Sequence, residues 1–185
     1  VSLVERLRRR WPYLAVAATV VGLDQLTKWL ADRLLTLHES LPLVDGLLSL
    51  SYVRNRGGAF GFLSTAGLPY QPVLFAIVSL LALLAMVVYA LRLPPGRRLP
   101  QTGLALVMGG AAGNLIDRAL LGYVIDFIDV YWGRHHWPAF NAADSAISIG
   151  VFLLILDMLK NPEPGTVDTP AEKSCPPGEA APGAG

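Results

Sequence analysis

Two aspartates stand where a purely structural apolar sequence would not put them. Asp126 lies within Tyr123-Val124-Ile125-Asp126-Phe127-Ile128-Asp129-Val130. Its apolar neighbours should desolvate the carboxyl and favour the neutral acid. Asp144 lies within Pro138-Ala139-Phe140-Asn141-Ala142-Ala143-Asp144-Ser145-Ala146-Ile147-Ser148. Pro138 fits a helix start. Counted from there, Asp144 is about two turns in, beyond the reach of the helix dipole, and Asn141, Asp144 and Ser148 share one face. Two carboxylates on one site cannot both ionise easily, so one keeps a proton. The ionised member can take a proton from water while the protonated member donates to a scissile carbonyl. That is aspartic-protease chemistry. A serine mechanism is weaker: Ser145 and Ser148 have no evident histidine base, and there is no G-x-S-x-G elbow.

Further polar residues sit at helical spacing in apolar surroundings. Asp24 and Lys28 are related as i and i+4, which suits a local ion pair or an Asp24 that braces another helix. Asn114, Asp117 and Arg118 share a face at the end of Gly109-Gly110-Ala111-Ala112-Gly113-Asn114-Leu115-Ile116-Asp117-Arg118. An Asp117–Arg118 cap would not explain Asn114 one turn deeper. Gly109 and Gly113 form a G-x-x-x-G pair that lets another helix approach closely.

The elements that must position these groups belong to a membrane protein. The 185 residues are 53% hydrophobic and 16% charged, with mean hydropathy +0.47, against about 25% charged for an average soluble domain. Four apolar segments, about 11–31, 70–93, 101–121 and 138–160, each approach the roughly 20 residues a helix needs to cross the hydrocarbon. A soluble bundle would be left with too little polar surface. The fold class expected is therefore an α-helical membrane protein of four transmembrane helices. Arg6, Arg8, Arg9 and Arg10 precede the first segment, and its apolar run passes into Asp24-Gln25-Leu26-Thr27-Lys28-Trp29 without a small-x-small cleavage site, so it reads as an uncleaved helix. Arg92, Arg97 and Arg98 flank the turn between segments two and three. The positive-inside rule then puts both termini in the cytoplasm. Arg33, Arg54, Arg56 and Arg134 on the other side make that bias modest.

Between the first two helices, Leu48-Ser49-Leu50-Ser51-Tyr52 alternates as a strand does. A small extracytoplasmic β-sheet is expected over residues 40–63, resting on the membrane surface. Asn55-Arg56-Gly57-Gly58-Ala59-Phe60-Gly61-Phe62 follows, a glycine-rich loop suited to close over a bound peptide. Trp132, Trp137 and Tyr131 suit an interfacial belt. Residues 161–185, rich in Pro, Gly, Ala and Glu, read as a disordered cytoplasmic tail. Cys175, the single cysteine, has no internal partner, and the adjacent His135 and His136 read as loop residues rather than metal ligands. A net charge of +1 suggests no nucleic-acid partner.

The segments Asp24–Lys28, Asn55–Phe60, Gly110–Arg118, Val124–Phe127 and Phe140–Asp144 occur in order. Together they resemble the motif set of lipoprotein signal peptidases (signal peptidase II), over about residues 11–160. The resemblance implies an aspartic endopeptidase of the bacterial cytoplasmic membrane, with its active site near the extracytoplasmic face. It implies diacylglyceryl-modified prolipoproteins as substrates, cut just before the lipidated cysteine. It places the catalytic dyad on Asp126 and Asp144. Asp24, Lys28, Asn55, Gly57, Asn114, Asp117, Arg118 and Asn141 become supporting or substrate-binding positions, with Arg118 suited to hold loop carbonyls or a lipid phosphate. It further implies no metal or other cofactor, contact with membrane lipids and inhibition by globomycin-type cyclic peptides. Nothing requires more than a monomer. The family often has Gly-Ala-Ala-Phe where this chain has Gly57-Gly58-Ala59-Phe60; the missing methyl should loosen that loop.

Two other readings compete. A small ion or proton transporter would distribute polar residues through the membrane depth, whereas 77–91 and 152–156 carry no charge. A non-enzymatic anchoring protein built on Gly109–Gly113 packing offers no reason for Asp126 and Asp144.

Overall fold

A computed structural model of the chain describes residues 3–57, 70–94 and 96–161. The expected lid residues 58–62, the tail beyond Asn161 and Cys175 lie outside them. Among the described residues are four α-helices and a small sheet. The helices are α1 (Leu3–Leu34), α2 (Gln71–Arg92), α3 (Arg98–Leu121) and α4 (Ala142–Lys160). The strands are β1 (Ser40–Val44), β2 (Leu48–Asn55), β3 (Val124–Trp132) and β4 (His135–His136). By length and composition α2, α3 and α4 can each cross a membrane.

α3 is the centre of the bundle and touches the other three helices. Its glycines explain how. A Cβ on Gly109 would fall 2.8 Å from the Ala17 carbonyl oxygen of α1, and one on Gly110 would overlap the Ala143 carbonyl of α4. Gly103 and Gly150 meet in the same way, each against the other's carbonyl. Small residues let backbones approach where lipid supplies no hydrophobic drive. The close approach expected of Gly109 and Gly113 is present, and both contact α1.

α1 extends well before the apolar segment read from sequence, to Leu3. Arg10 lies within it and donates to the Ala90, Leu91 and Leu93 carbonyls at the end of α2. Terminal carbonyls of a helix carry partial negative charge and accept from cations. At the same end of the bundle Arg97 pairs with Asp157 of α4 at 2.5 Å.

The other end carries the four-stranded antiparallel sheet, in the order β1-β2-β3-β4. Two expectations are corrected here. The sheet is not confined to 40–63: residues 124–136, read as a loop between helix ends, supply β3 and β4. β3 pairs Val53 with Asp126 and Asn55 with Val124. Helix α4 begins at Ala142 rather than Pro138. Trp137 and Phe140 instead extend beside β3, with Phe140 N–H bonded to Ile128 O at 3.0 Å and Ile128 N–H to Phe140 O at 2.8 Å. Those bonds hold the backbone out of helical geometry. In β2 the alternation is real, yet the serines face inward: Ser49 and Ser51 are buried while Leu48 and Leu50 are half-buried. Ala31 and Leu35 of α1 pack with Tyr52, Ile125 and Phe127 in a small apolar cluster that seats the sheet on the bundle.

Candidate active site

Asp126 enters from β3 and Asp144 from α4. Asn141 joins them. Its backbone is extended, it is the N-cap of α4, and its side-chain oxygen accepts from Asp144 N–H at 2.9 Å. Its amide nitrogen donates to Asp126 Oδ1 at 2.7 Å. The Asp144 carboxylate returns the cap, accepting from Asn141 N–H at 3.3 Å. This is a capping box, with Asp144 at the third helical position. The sequence-based placement two turns into the helix is therefore wrong, because α4 starts four residues later than Pro138. Asp144 lies in the first turn, where the helix N-terminus complements negative charge.

Further amides complete the setting. Asn55 Nδ2 donates to Asp126 Oδ2 at 3.0 Å, and its oxygen accepts from Gly57 N–H at 2.9 Å. Asn114 Nδ2 donates to Asp144 Oδ1 at 2.9 Å. Asn141 is fully buried and Asp126 only 2% exposed. Burial pushes the Asp126 carboxyl up to about 7; the nearby Asp144 charge adds to this and the Asn55 and Asn141 amides oppose it. Two carboxyls linked through one buried amide, one pushed up by burial and one at a helix N-terminus, have the makings of an acid–base pair.

Behind the pair lies a buried ion triad. Lys28, 2% exposed, is 2.8 Å from Asp24 Oδ2 and 3.0 Å from Asp117 Oδ2. The two meanings open for Asp24 thus both hold, since it pairs with Lys28 and also accepts from the Ala143 N–H of α4 at 2.9 Å. Lys28 donates as well to Asn114 Oδ1 at 2.8 Å. Arg118 donates to Gly57 O at 3.2 Å and lies over the Phe75 ring, so it holds a loop carbonyl as expected. All the sequence-predicted residues gather in one region: Asp24, Lys28, Asn55, Gly57, Asn114, Asp117, Arg118, Asp126, Asn141 and Asp144. Sequence reasoning missed Gln25, which donates to Asp117 Oδ1 at 2.9 Å, and Gln71, which donates to Arg56 O at 3.1 Å. A polar amide at the start of an otherwise apolar helix was the available signal for Gln71.

Asp129 and His136 form a separate cluster. Asp129 accepts from Ser49 at 3.0 Å and lies 3.0 Å from His136 Nδ1, while His136 stacks on Tyr131. Among the described residues no group of three or more His, Cys, Asp or Glu side chains is arranged to hold a metal.

Comparison with known proteins gives a consistent picture. Residues 16–160 match the family described as Signal peptidase (SPase) II. A lipoprotein signal peptidase of Geobacter metallireducens is 51% identical over 79% of this chain and 89% of its own length. That of Geobacter sulfurreducens is 50% identical over 80% and 93%. A solved bacterial membrane enzyme superposes with a TM-score of 0.72 at 33% identity, over 81% of this chain and 88% of its own.

Proposed function

Because the chain belongs to the signal peptidase II family, an aspartic peptidase family, we propose that it removes signal peptides from diacylglyceryl-modified prolipoproteins, using Asp126 and Asp144 as its catalytic pair. The observation that carries the assignment is Asn141, one buried side chain hydrogen-bonded to both residues. Asp126 holds the proton, in keeping with its burial. Asp144, in the capping box at the head of α4, is the partner that accepts the proton. Asp144 takes a proton from water as the oxygen adds to the scissile carbonyl carbon, and Asp126 gives its proton to the carbonyl oxygen. Collapse of the tetrahedral intermediate passes the proton on Asp144 to the leaving amine and returns a proton to Asp126. No covalent intermediate is needed.

The substrate's lipidated cysteine must stay in the bilayer, so peptide and protease meet at the membrane surface. We place that meeting at the sheet end, with α1 as a fourth span and residues 1–160 as one peptidase domain. Arg8, Arg10, Arg92, Arg97 and Arg98 support a cytoplasmic position for the opposite end, and so a sheet outside the bacterial inner membrane. Exposed Trp29, Trp132 and Trp137 suit the interface there. Arg118 and Asn55, both bonded at Gly57, steady the start of the loop that would cover the peptide. Membrane lipids are its surroundings, and globomycin-type cyclic peptides are expected to compete with the signal peptide. Nothing favours the transporter reading, since the buried charges lie at the two ends of the bundle, Asp157 with Arg97 at one and Asp24, Lys28 and Asp117 at the other, without forming a path between them.

The test is cleavage of a diacylglyceryl-prolipoprotein in liposomes by wild type, Asp126→Asn and Asp144→Asn. Each variant is expected to lose at least about 10³-fold in kcat. Normal cleavage by either would sink the dyad, and equal cleavage of an unlipidated precursor would defeat the substrate assignment.

A further inference from the structure

The backbone immediately ahead of each aspartate is pinned by the same buried triad. Asp117 Oδ2 accepts from the N–H of Ile125, the residue before Asp126, at 3.1 Å. Asp24 Oδ1 accepts from the N–H of Ala143, the residue before Asp144, at 2.9 Å. Lys28 sits between the two carboxylates and bonds both. Its remaining contact, to Asn114 Oδ1, fixes the orientation of that amide so that only the NH2 faces Asp144. The Ile125 peptide is held from its other side as well, where its carbonyl accepts from Asn141 Nδ2 at 3.2 Å. Gln25 donates to Asp117 Oδ1 at 2.9 Å and to the Gly113 carbonyl at 3.2 Å. Gly113 leaves room for this arrangement, since a Cβ there would overlap the Asp24 carboxylate.

We infer that Asp24, Lys28 and Asp117 are positioning residues: Asp24 and Asp117 set the separation of Asp126 and Asp144 by accepting from the Ala143 and Ile125 amides, and Lys28 compensates the charge of those two buried carboxylates. The inference rests on the dyad reading above. Asp126 and Asp144 belong to different elements, a strand and a helix, and nothing in the covalent chain fixes their spacing. α1 supplies Asp24 and Lys28, α3 supplies Asp117, and the buried lysine pairs with both carboxylates. A misplacement of about 1 Å is enough to lower an acid–base step by about 10²-fold. Such a loss falls on kcat, because the groups that bind the peptide are not moved.

Two substitutions at one position separate positioning from mere charge. Asp117→Asn keeps an acceptor for Ile125 N–H; Asp117→Leu removes the acceptor. The expected result is a kcat for Asp117→Asn within about tenfold of wild type, and for Asp117→Leu a loss of about 10²-fold or more with KM within about threefold. Amide hydrogen exchange in detergent micelles reads the pinning directly. Ile125 should lose protection in Asp117→Leu while Ala105, in the middle of α3, keeps it. If Asp117→Leu does not fold, the uncharged triple variant Asp24→Asn, Lys28→Met, Asp117→Asn still decides. It retains both acceptors without buried charge, so it should protect Ile125 and Ala143 and keep kcat within about tenfold. Equal losses in Asp117→Asn and Asp117→Leu would overturn the inference, as would a protected but inactive triple variant. Failure of the dyad itself looks different: Asp126→Asn would then cleave normally whatever the exchange at Ile125.

Discussion

α2 and α3 are of similar length, 22 and 24 residues, and both are apolar enough to cross a membrane. They do opposite work. α2 presents Leu74, Ile77, Val78, Leu81 and Leu84 outward and buries almost none of its span. α3 buries much of its own, meets three helices and carries Asn114, Asp117 and Arg118. Hydropathy alone ranks α2 as the better membrane helix, yet the chemistry depends on α3. In lipid an apolar side chain gains little by leaving hydrocarbon, so helices are joined by close packing and polar contacts. The departures from hydropathy, glycine and polar residues, therefore mark where the protein is assembled and where it acts.

If that contrast holds, a change on α3 too small to alter hydropathy should be the most damaging. Gly110→Val adds atoms where even a Cβ overlaps the Ala143 carbonyl, one residue from Asp144. A backbone atom cannot swing aside as a side-chain tip can. The expected loss is about 3 kcal/mol or more of stability, checked by thermal unfolding in detergent, together with loss of cleavage. A Gly110→Val protein that melts and cleaves like wild type would break the comparison.

Asn141→Ala should come next. It removes the cap of α4 and the link between the aspartates in one step. The cap contributes about 1 kcal/mol to stability. The catalytic loss should be larger, about 10²-fold in kcat, or roughly 3 kcal/mol in the barrier. Steady-state kinetics beside a melting curve would show whether the two effects part in this way.

Much of this contrast was legible in the residues. Four apolar runs gave the helices, and Asp24, Lys28, Asn114, Asp117 and Asp144 stood out because charge and amide groups are expensive in an apolar run. β3 was not legible as a strand. In Val124–Trp132 both faces carry apolar residues and are largely buried, so the alternation that marks a half-exposed strand is absent; the β-branched and aromatic content was the remaining signal. The start of α4 was misplaced because Pro138 fits a helix N-terminus on local grounds. What excludes it is pairing with β3, a contact made across the fold. For the same reason the triad's hold on Ile125 and Ala143 could not be read from spacing, since it joins residues that are far apart in sequence.

Asp126 offers a test of the buried side by pH. Its carboxyl rises from 3.8 to about 7 on folding. The folded protein therefore binds more protons than the unfolded chain between these values, and stability falls as pH rises through that window. Asp126→Asn has no such proton to lose. Its stability relative to wild type should rise from pH 4 toward pH 7 and then level off, a change of about 4 kcal/mol read as a growing difference in melting temperature. Asn supplies an NH2 where Asn55 and Asn141 donate, which lowers the variant's stability by the same amount at every pH and leaves the pH dependence of the difference unchanged. Wild-type cleavage should decline above about pH 7 as Asp126 ionises. A constant difference in melting temperature across pH would contradict the burial of this carboxyl.

The smallest effect belongs to α2, and it is the sharpest check on what α2 is for. Leu81 is 60% exposed in the middle of the span. In water-soluble proteins a Leu→Ala change in a core costs about 2–5 kcal/mol through lost burial and a cavity. With most of its surface outside the protein, Leu81 leaves little cavity when truncated, and in the bilayer the lipid chains refill the space. Leu81→Ala should thus change stability by less than about 0.5 kcal/mol and leave cleavage of the lipidated precursor at the wild-type rate. The measurement is made in liposomes, where hydrocarbon surrounds the helix. A loss of cleavage with unchanged melting would mean that this face of α2 meets the substrate's lipid chains, and the dry helix would then share in recognition.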